Sequence, residues 1–165
     1  MAWVTPTNVA TGDVLTASTW NQDVVANAAE LAPFFSAWTS WTPTVAQGAT
    51  SNISKTVSYA KYVLVGKLAI ANVRLDMTGA GTAGSTLTIS VPSAITSAST
   101  SPRLGGAHIF DSSTSTRYTG QAEWVTSTTL SFVGDWSGNG AWGVNPNLAV
   151  ASGDQIGFSV MYEVA

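Results

Sequence analysis

The spacing of hydrophobic residues changes once along this chain, from a helical period near the N-terminus to a two-residue period afterwards. Within 17–32 the apolar residues recur every three or four positions, so they share one side of a helix. They are Ala17, Trp20, Val24, Ala28 and Leu31. A hydroxyl at Thr16 or Ser18 can accept a hydrogen bond from the first turn, and Pro33 cannot continue a helix. We therefore predict one helix at about 17–32.

Beyond residue 36 the apolar residues alternate with Thr and Ser, which is the pattern of half-buried strands. The segment 86–92 shows it most regularly, with Leu87, Ile89 and Val91 expected to face inward. The last strand, predicted at 155–164, follows the same rule, and its expected inward residues are Ile156, Phe158, Val160 and Tyr162.

The segment 54–78 is predicted to form two strands that meet at Gly66–Lys67. The inward residues expected in the second strand are Leu68, Ile70, Val73 and Leu75. Ile70 and Val73 are three residues apart, so a regular strand would place them on opposite faces. All four residues can face inward only if a bulge near Asn72 shifts the alternation by one residue. In the preceding segment, 38–45, Pro43 indicates the edge of a sheet.

Short strands separated by Gly-, Ser- and Thr-rich turns predict a mainly β fold. The expected architecture is an antiparallel β-sandwich or jelly-roll-like domain, preceded by an extended N-terminal arm and one short α-helix. We expect residues 1–36 to form the arm and helix, and residues 37–165 to form the β-sandwich domain.

The composition of the chain argues against several classes of function. Charged residues make up only 9% of the chain, and the six Lys and Arg residues are scattered in sequence, so we expect no nucleic-acid partner. The absence of cysteine excludes disulfides and thiolate zinc sites, and we expect no cofactor. No apolar stretch approaches about 18 residues and no secretory leader follows Met1, so we predict no membrane span and synthesis in the cytoplasm.

Two pairs of polar residues could be considered for hydrolysis, and we expect neither to act. His108 is the only histidine and could pair with Asp111, but no nucleophile motif accompanies them. Glu123 and Asp135 could form a carboxylate pair for glycoside hydrolysis, yet each stands alone in the sequence. We therefore predict a protein that is not an enzyme.

The loop 134–143, GDWSGNGAWG, is the strongest candidate for ligand binding. A saccharide site needs a flat apolar surface beside fixed polar groups, and this loop supplies both. The residues concerned are Asp135, Trp136, Asn139 and Trp142. One alternative is that the tryptophans cover one end of the β-domain or a subunit contact. Another is a calcium turn, which here lacks the usual bidentate glutamate, so we predict no metal site.

The helix and its neighbouring tryptophans suggest docking. Trp3, Trp38 and Trp41 fit two interpretations equally, as core residues or as interface residues. An isolated helix needs about 12–15 residues to be even marginally stable in water, and the apolar side here is narrow. We therefore expect other polypeptides to cover it. The predicted oligomer and anchor interface consists of Trp3, Trp20, Val24, Ala28 and Leu31.

The N-terminal segment resembles one that is common near the start of bacteriophage tail and virion-surface proteins. In those proteins a W-x-x-P … G-D-x-x-T-A-x-x-x-N stretch leads into a short helix. The corresponding residues here are Trp3, Pro6, the run Gly12–Ala17, Trp20, Asn21 and Asn27.

The remainder of the chain is similar to the small β-sandwich tip domains of phage fibres. Those domains combine a tyrosine followed by a strand, a Gly-Lys turn, a second strand, a Gly-rich turn and a strand ending in Leu-Pro or Val-Pro. A Gly-Asp-x-Ile sequence then precedes a last strand that contains a tyrosine. The corresponding positions here are Tyr62, Gly66–Lys67, Gly79–Gly84, Val91–Pro92, Gly153–Ile156 and Tyr162.

This resemblance implies a homotrimeric structural protein on the exterior surface of a virion, on the capsid or on the tail. Residues 1–35 would anchor it to other virion proteins, and the β-domain would face outward. No long shaft is present, which favours a head fibre, a decoration protein or a minor tail protein. The alternative is a receptor- or glycan-binding fibre-tip module that contacts a glycan of the host cell surface.

Overall fold

The computed structural model contains one helical segment near the N-terminus. The residues that it describes are 5–6, 8, 10–32, 38–99, 105–134 and 140–165. The helix consists of α1 (Ala17–Trp20), a π-helical stretch (Asn21–Ala26) and α2 (Asn27–Leu31). The Thr16 hydroxyl caps α1, accepting a hydrogen bond from the Thr19 N–H at 3.2 Å. The helix predicted at about 17–32 is confirmed.

Ten strands follow within the described ranges, and every strand pair is antiparallel. They are β1 (Thr39–Ser40), β2 (Val45–Gln47), β3 (Lys55–Val65), β4 (Leu68–Met77), β5 (Leu87–Ser90), β6 (Gly105–Asp111), β7 (Thr116–Thr126), β8 (Thr129–Gly134), β9 (Gly140–Ala141) and β10 (Gln155–Glu163). The order across the sheet is β1-β3-β4-β10-β6-β7-β8-β5-β2, with β9 paired to β8. The predicted mainly β fold with one short helix is confirmed. The strands form one continuous curled sheet, whereas the sequence analysis expected two packed sheets.

The curl of the sheet follows from its connectivity. Strands β1 and β2 lie at opposite ends of the strand order, yet only residues 41–44 separate them. The Trp41 N–H donates to the Ala60 carbonyl of β3 at 3.1 Å, and the Thr44 carbonyl accepts from the Ser90 N–H of β5 at 2.9 Å. Because this short link joins both edges, the sheet bends round and one of its faces encloses the core.

The inward side of β4 differs from the expected set. The buried residues of this strand are Ala69, Ala71, Val73, Leu75 and Met77. Strand β4 therefore alternates regularly, and the irregularity lies in β3, between Val57 and Tyr59. Leu68 and Ile70 therefore lie on the outer face. Ala69 lies on the inner face and pairs there with the buried Tyr162.

The inward residues predicted for β5 and β10 are confirmed, since all of them are buried. In the core, the rings of Trp124 and Tyr162 meet edge-on with centroids 4.9 Å apart. The Tyr162 hydroxyl donates to the Ile95 carbonyl at 2.7 Å, and burial raises the pKa of this phenol. The two-residue period of the large apolar side chains was thus enough to identify which side of these two strands forms the core.

A fully buried glutamine joins the loops at one end of the sheet. The Gln47 side chain is 1% exposed, and its Nε2 donates to the carbonyls of Ser85 and Leu148 at 3.1 and 2.8 Å. Its Oε1 accepts from the Val150 N–H at 2.9 Å. Every polar atom of this side chain is used, which lets an amide stand in an apolar core.

Candidate functional site

The apolar side of the helix faces solvent in this chain. Trp20, Val24 and Leu31 are 49%, 42% and 47% exposed, and Ala28 is exposed as well. Trp3, which completes the predicted interface, lies outside the described residues. Large side chains exposed together on one side of a helix are typical of a docking surface.

The most covered side chain of the helix is polar. Asn27 is only 4% exposed, and Thr19, Asp23 and Ala26 are half-buried. The Asn27 Nδ2 donates to the Asp23 carbonyl at 3.1 Å. A surface helix normally buries its large apolar side chains. This helix leaves them exposed within the single chain.

The π-helical stretch makes the exposed apolar surface broader than the narrow stripe expected. A wider helical turn changes the angle between successive side chains, and Val25 is 50% exposed beside Val24. Val14 and Leu15, just before the helix, are 85% and 49% exposed. We call this set the N-terminal apolar surface: Val14, Leu15, Trp20, Val24, Val25, Ala28 and Leu31.

The tryptophans for which the sequence left two interpretations open fall into different environments. Trp41 packs against the core, and its ring meets Tyr62 edge-on at 5.9 Å. Trp38 is 36% exposed. Trp41 is thus a core residue, while Trp38 remains available at the surface.

The predicted glycan loop is only partly described. Asp135, Trp136 and Asn139 lie outside the described residues. Trp142 is fully buried, with its ring edge-on to Tyr118 at 6.4 Å. A ring enclosed in the core cannot stack on a sugar, so the prediction of Trp142 as a glycan-binding residue is wrong. The alternation of aromatic and small residues in this loop does not reveal which ring turns inward.

His108 and Asp111, one of the pairs considered for hydrolysis, are not brought together, and Asp135 of the other pair lies outside the described residues. His108 is exposed on the outer side of β6, while Asp111, three residues along the same strand, is buried. Neighbouring positions of a strand point to opposite faces, so these two side chains lie on different sides of the sheet. The Asp111 Oδ1 instead accepts from the N–H groups of Ser113 and Thr114 at 2.9 and 3.3 Å. Within the described ranges, no group of three or more His, Asp or Glu residues is suited to hold a metal ion.

A cationic region that the sequence analysis missed lies on the outer face of the sheet. Arg74 on β4 is opposite Gly157 on β10, and Gly157 is opposite His108 on β6. Tyr59 on β3 is opposite Arg74 on the other side. These residues are far apart in sequence, and only the strand register aligns them in one row. The spacing of basic residues along the chain therefore does not reveal that Arg74 and His108 are neighbours.

The row borders a shallow groove of roughly 380 Å³. We call it the Arg74 groove; it is lined by Tyr59, Asn72, Arg74, Gly106, His108 and Ser159. The His108 imidazole lies over Gly157, where a Cβ atom would be 2.3 Å from its Cε1. Partial burial, followed by the charges of Arg117 and Arg74, lowers the pKa of His108.

The chain matches no known protein family, no curated protein and no solved structure. In the described parts of the chain, no helix is both long enough and apolar enough to cross a membrane.

Proposed function

We propose that this protein is a non-enzymatic structural protein of a phage virion surface, anchored by its N-terminal segment and projecting a trimeric β-domain outward. A head fibre, a decoration protein or a minor tail protein has this organisation. The observation that supports the proposal most is the N-terminal apolar surface, which is exposed beside a β-domain whose own core is complete. The sequence resemblance of the N-terminal segment to phage virion proteins points the same way.

Self-association gives the exposed side chains a physical role. Burying Trp20, Val24 and Leu31 stabilises an assembly by about 2 kcal/mol for each side chain, before the entropy of association is subtracted. Three copies around one axis each contribute the same surface. Charged residues make up only 9% of the chain, so electrostatic repulsion between copies is small.

Sedimentation velocity on the full chain tests the trimer. We expect a species of three times the 17.0 kDa chain, and we expect the double variant Trp20→Ser, Leu31→Ser to sediment as a monomer. Its matched control is Val125→Ser, Met161→Ser, because both residues are exposed on the β-domain and lie outside the helix. A wild type that remains monomeric at all concentrations, or a helix variant that remains trimeric, contradicts the trimer.

Immunogold labelling of intact particles tests the location. Antibodies raised against residues 38–165 should decorate the exterior of the capsid or the tail. Particles that contain the protein in denaturing gels but bind no antibody on their surface would contradict the outward placement. Particles that lack the protein altogether would contradict the virion role.

A further inference from the structure

The Arg74 groove presents several hydrogen-bond donors in a small area. The Arg74 guanidinium supplies up to five N–H donors, and Tyr59, Asn72, His108 and Ser159 add hydroxyl, amide and ring groups. Within the described residues, no hydrogen bond or ion pair engages the Arg74 side chain, and this side chain is exposed. The groove therefore offers donors that are free to bind a ligand.

Two glycines shape the floor of the groove. A Cβ atom at Gly106 would meet no atom within 4 Å, and Gly157 carries the His108 ring directly above its backbone. Strands β4 and β6 both flank β10, so the Cα atoms of Arg74 and His108 are roughly 10 Å apart. Because the His108 ring lies over Gly157, between these two strands, the space left beside Arg74 suits a single anionic group, and the rest of a ligand must lie over the open part of the groove.

Several basic side chains lie on this face, although the net charge of the chain is −3. Arg74 and Arg117 both lie close enough to His108 to contribute, after partial burial, to the lowering of its pKa. The Arg117 guanidinium is stacked 5.0 Å from the Phe110 ring, and the Lys61 ammonium lies 5.5 Å from the Tyr59 ring. These cation–π contacts hold Arg117 and Lys61 near the groove.

Acidic groups also lie on this face, outside the groove. Asp76, two residues from Arg74 on β4, accepts a hydrogen bond from the Ser58 hydroxyl. Glu163 pairs with Leu68 at the other end of β4, and Glu123 lies on β7, six residues from Arg117. Arg74 is the permanently charged side chain in the lining of the groove, so an anion there contacts this cation directly.

The backbone around the groove is already used. Strand β10 is hydrogen-bonded to β4 on one side and to β6 on the other, so a peptide strand cannot pair with β10 at the centre of the groove. Recognition must pass through donor side chains and one exposed aromatic ring, Tyr59, which is 40% exposed. Such a surface suits a ligand with many acceptor oxygens, a flat ring and a negative charge.

We propose that the Arg74 groove binds an acidic saccharide, whose carboxylate or phosphate group is held by Arg74 and His108. Asn72 and Ser159 bind its hydroxyl groups, and Tyr59 contacts the face of a sugar ring. The site is separate from the loop 134–143 considered in the sequence analysis. The inference does not rest on the proposed virion function, because the groove belongs to the β-domain of a single chain.

Isothermal titration calorimetry on the full chain at low and at physiological salt tests the inference. The probes are tetragalacturonate for a carboxylate, a glycerol-phosphate oligomer for a phosphate, neutral maltotetraose, and an oligothymidylate as the nucleic-acid comparison. The variants are Arg74→Gln and His108→Gln. The matched control is Lys67→Gln, which removes an exposed positive charge about 20 Å further along the sheet.

We expect one anionic saccharide or polyol probe to bind, maltotetraose not to bind, and affinity to fall as salt increases. Arg74→Gln should weaken binding about tenfold and His108→Gln about threefold, while Lys67→Gln should change it less than about twofold. The probe that binds identifies the carboxylate or the phosphate as the anionic group.

Several results would overturn the inference. They are the absence of binding by both anionic probes, equal binding of maltotetraose, equal losses in Arg74→Gln and Lys67→Gln, and tighter binding of the oligothymidylate. Circular dichroism of each variant shows whether it is folded. Arg74 and His108 are both exposed, so we expect both variants to fold, and if one does not, the other still tests the inference. None of these results depends on whether the chain is trimeric, so the trimer can fail while the groove proposal stands.

Discussion

The Oε1 atom of Gln47 accepts a hydrogen bond from the backbone N–H of Val150, 103 positions away along the chain, at 2.9 Å. The same amide reaches Ser85 and Leu148 through its Nε2. A Cβ atom at Gly81 would collide with this side chain, and so would one at Gly143. One glutamine thus connects strand β2 with two loops that approach it closely.

Replacing Gln47 by leucine should destabilise the protein by roughly 2–4 kcal/mol. The apolar side chain leaves the buried Val150 N–H without a partner, at a cost of about 1–3 kcal/mol. The carbonyls of Ser85 and Leu148 also lose their partner but are only partly buried, so together they add less. Urea unfolding, followed by circular dichroism, measures this difference. Gln121→Leu is the control, because Gln121 is exposed on β7, and we expect a change within about 0.5 kcal/mol. Equal stability of the two variants would contradict the role assigned to Gln47.

Asp111 should make the free energy of unfolding depend on pH in the acid range. Burial alone raises its pKa, but hydrogen bonds from Ser113 and Thr114 outweigh burial and lower the pKa below the ordinary 3.8. Because the folded-state pKa is depressed, the stabilisation is present above the unfolded-state pKa. It is lost as pH falls through the folded-state pKa.

The variant Asp111→Asn tests this dependence. Wild type should be more stable than the variant near neutral pH, and the difference should shrink as pH falls below about 4. Urea unfolding at a series of pH values measures it. Glu163→Gln removes a negative charge from an exposed position and serves as the control. A difference that stays constant down to strongly acidic pH would contradict the assignment.

Gly157 and His108 should be energetically coupled. A Cβ atom at residue 157 would lie 2.3 Å from the His108 Cε1, so Gly157→Ala must displace the imidazole or the strand. We expect a cost of about 1–3 kcal/mol. In a His108→Ala background the obstacle is gone and the same change should be nearly neutral. A double-mutant cycle from urea unfolding gives the coupling, and additive effects would contradict the packing of the ring on Gly157.

Trp142→Ala should destabilise the β-domain by about 3–5 kcal/mol, because removing a fully buried ring leaves a large cavity. Trp38→Ala is the matched control, since Trp38 is 36% exposed, and its effect on unfolding should be much smaller. Thermal unfolding followed by circular dichroism measures both. A small effect of Trp142→Ala would contradict the burial of this ring and would favour an exposed position that faces a ligand.

Strands and helix could be predicted where the pattern has one dominant period. Strands β5 and β10 alternate without interruption, so their inward residues followed from the sequence. The inward residues of β4 could not all be predicted, because apolar residues occupy both of its faces at one end. In the structure Ala69, not Ile70, faces inward, opposite Tyr162 of β10, and this pairing between distant strands is not contained in the local spacing.

The same distinction applies to the candidate sites. The apolar residues of the helix could be predicted because their spacing is local. The orientation of Trp142 and the position of the Arg74 groove could not be predicted in this way. Arg74, His108 and Gly157 lie on three strands, and register aligns them. No local pattern encodes that register.

The sequence by itself determined the helix, the strand-rich class and the apolar residues that the helix presents, because these depend on periodicities within a few turns or one strand. The tertiary structure decided the joining of all strands in one curled sheet, the burial of Gln47 and Trp142, and the gathering of cations on an otherwise acidic chain. The physical reason is that pairing between distant strands sets which side chains meet, and the energy of that pairing is shared across the whole sheet.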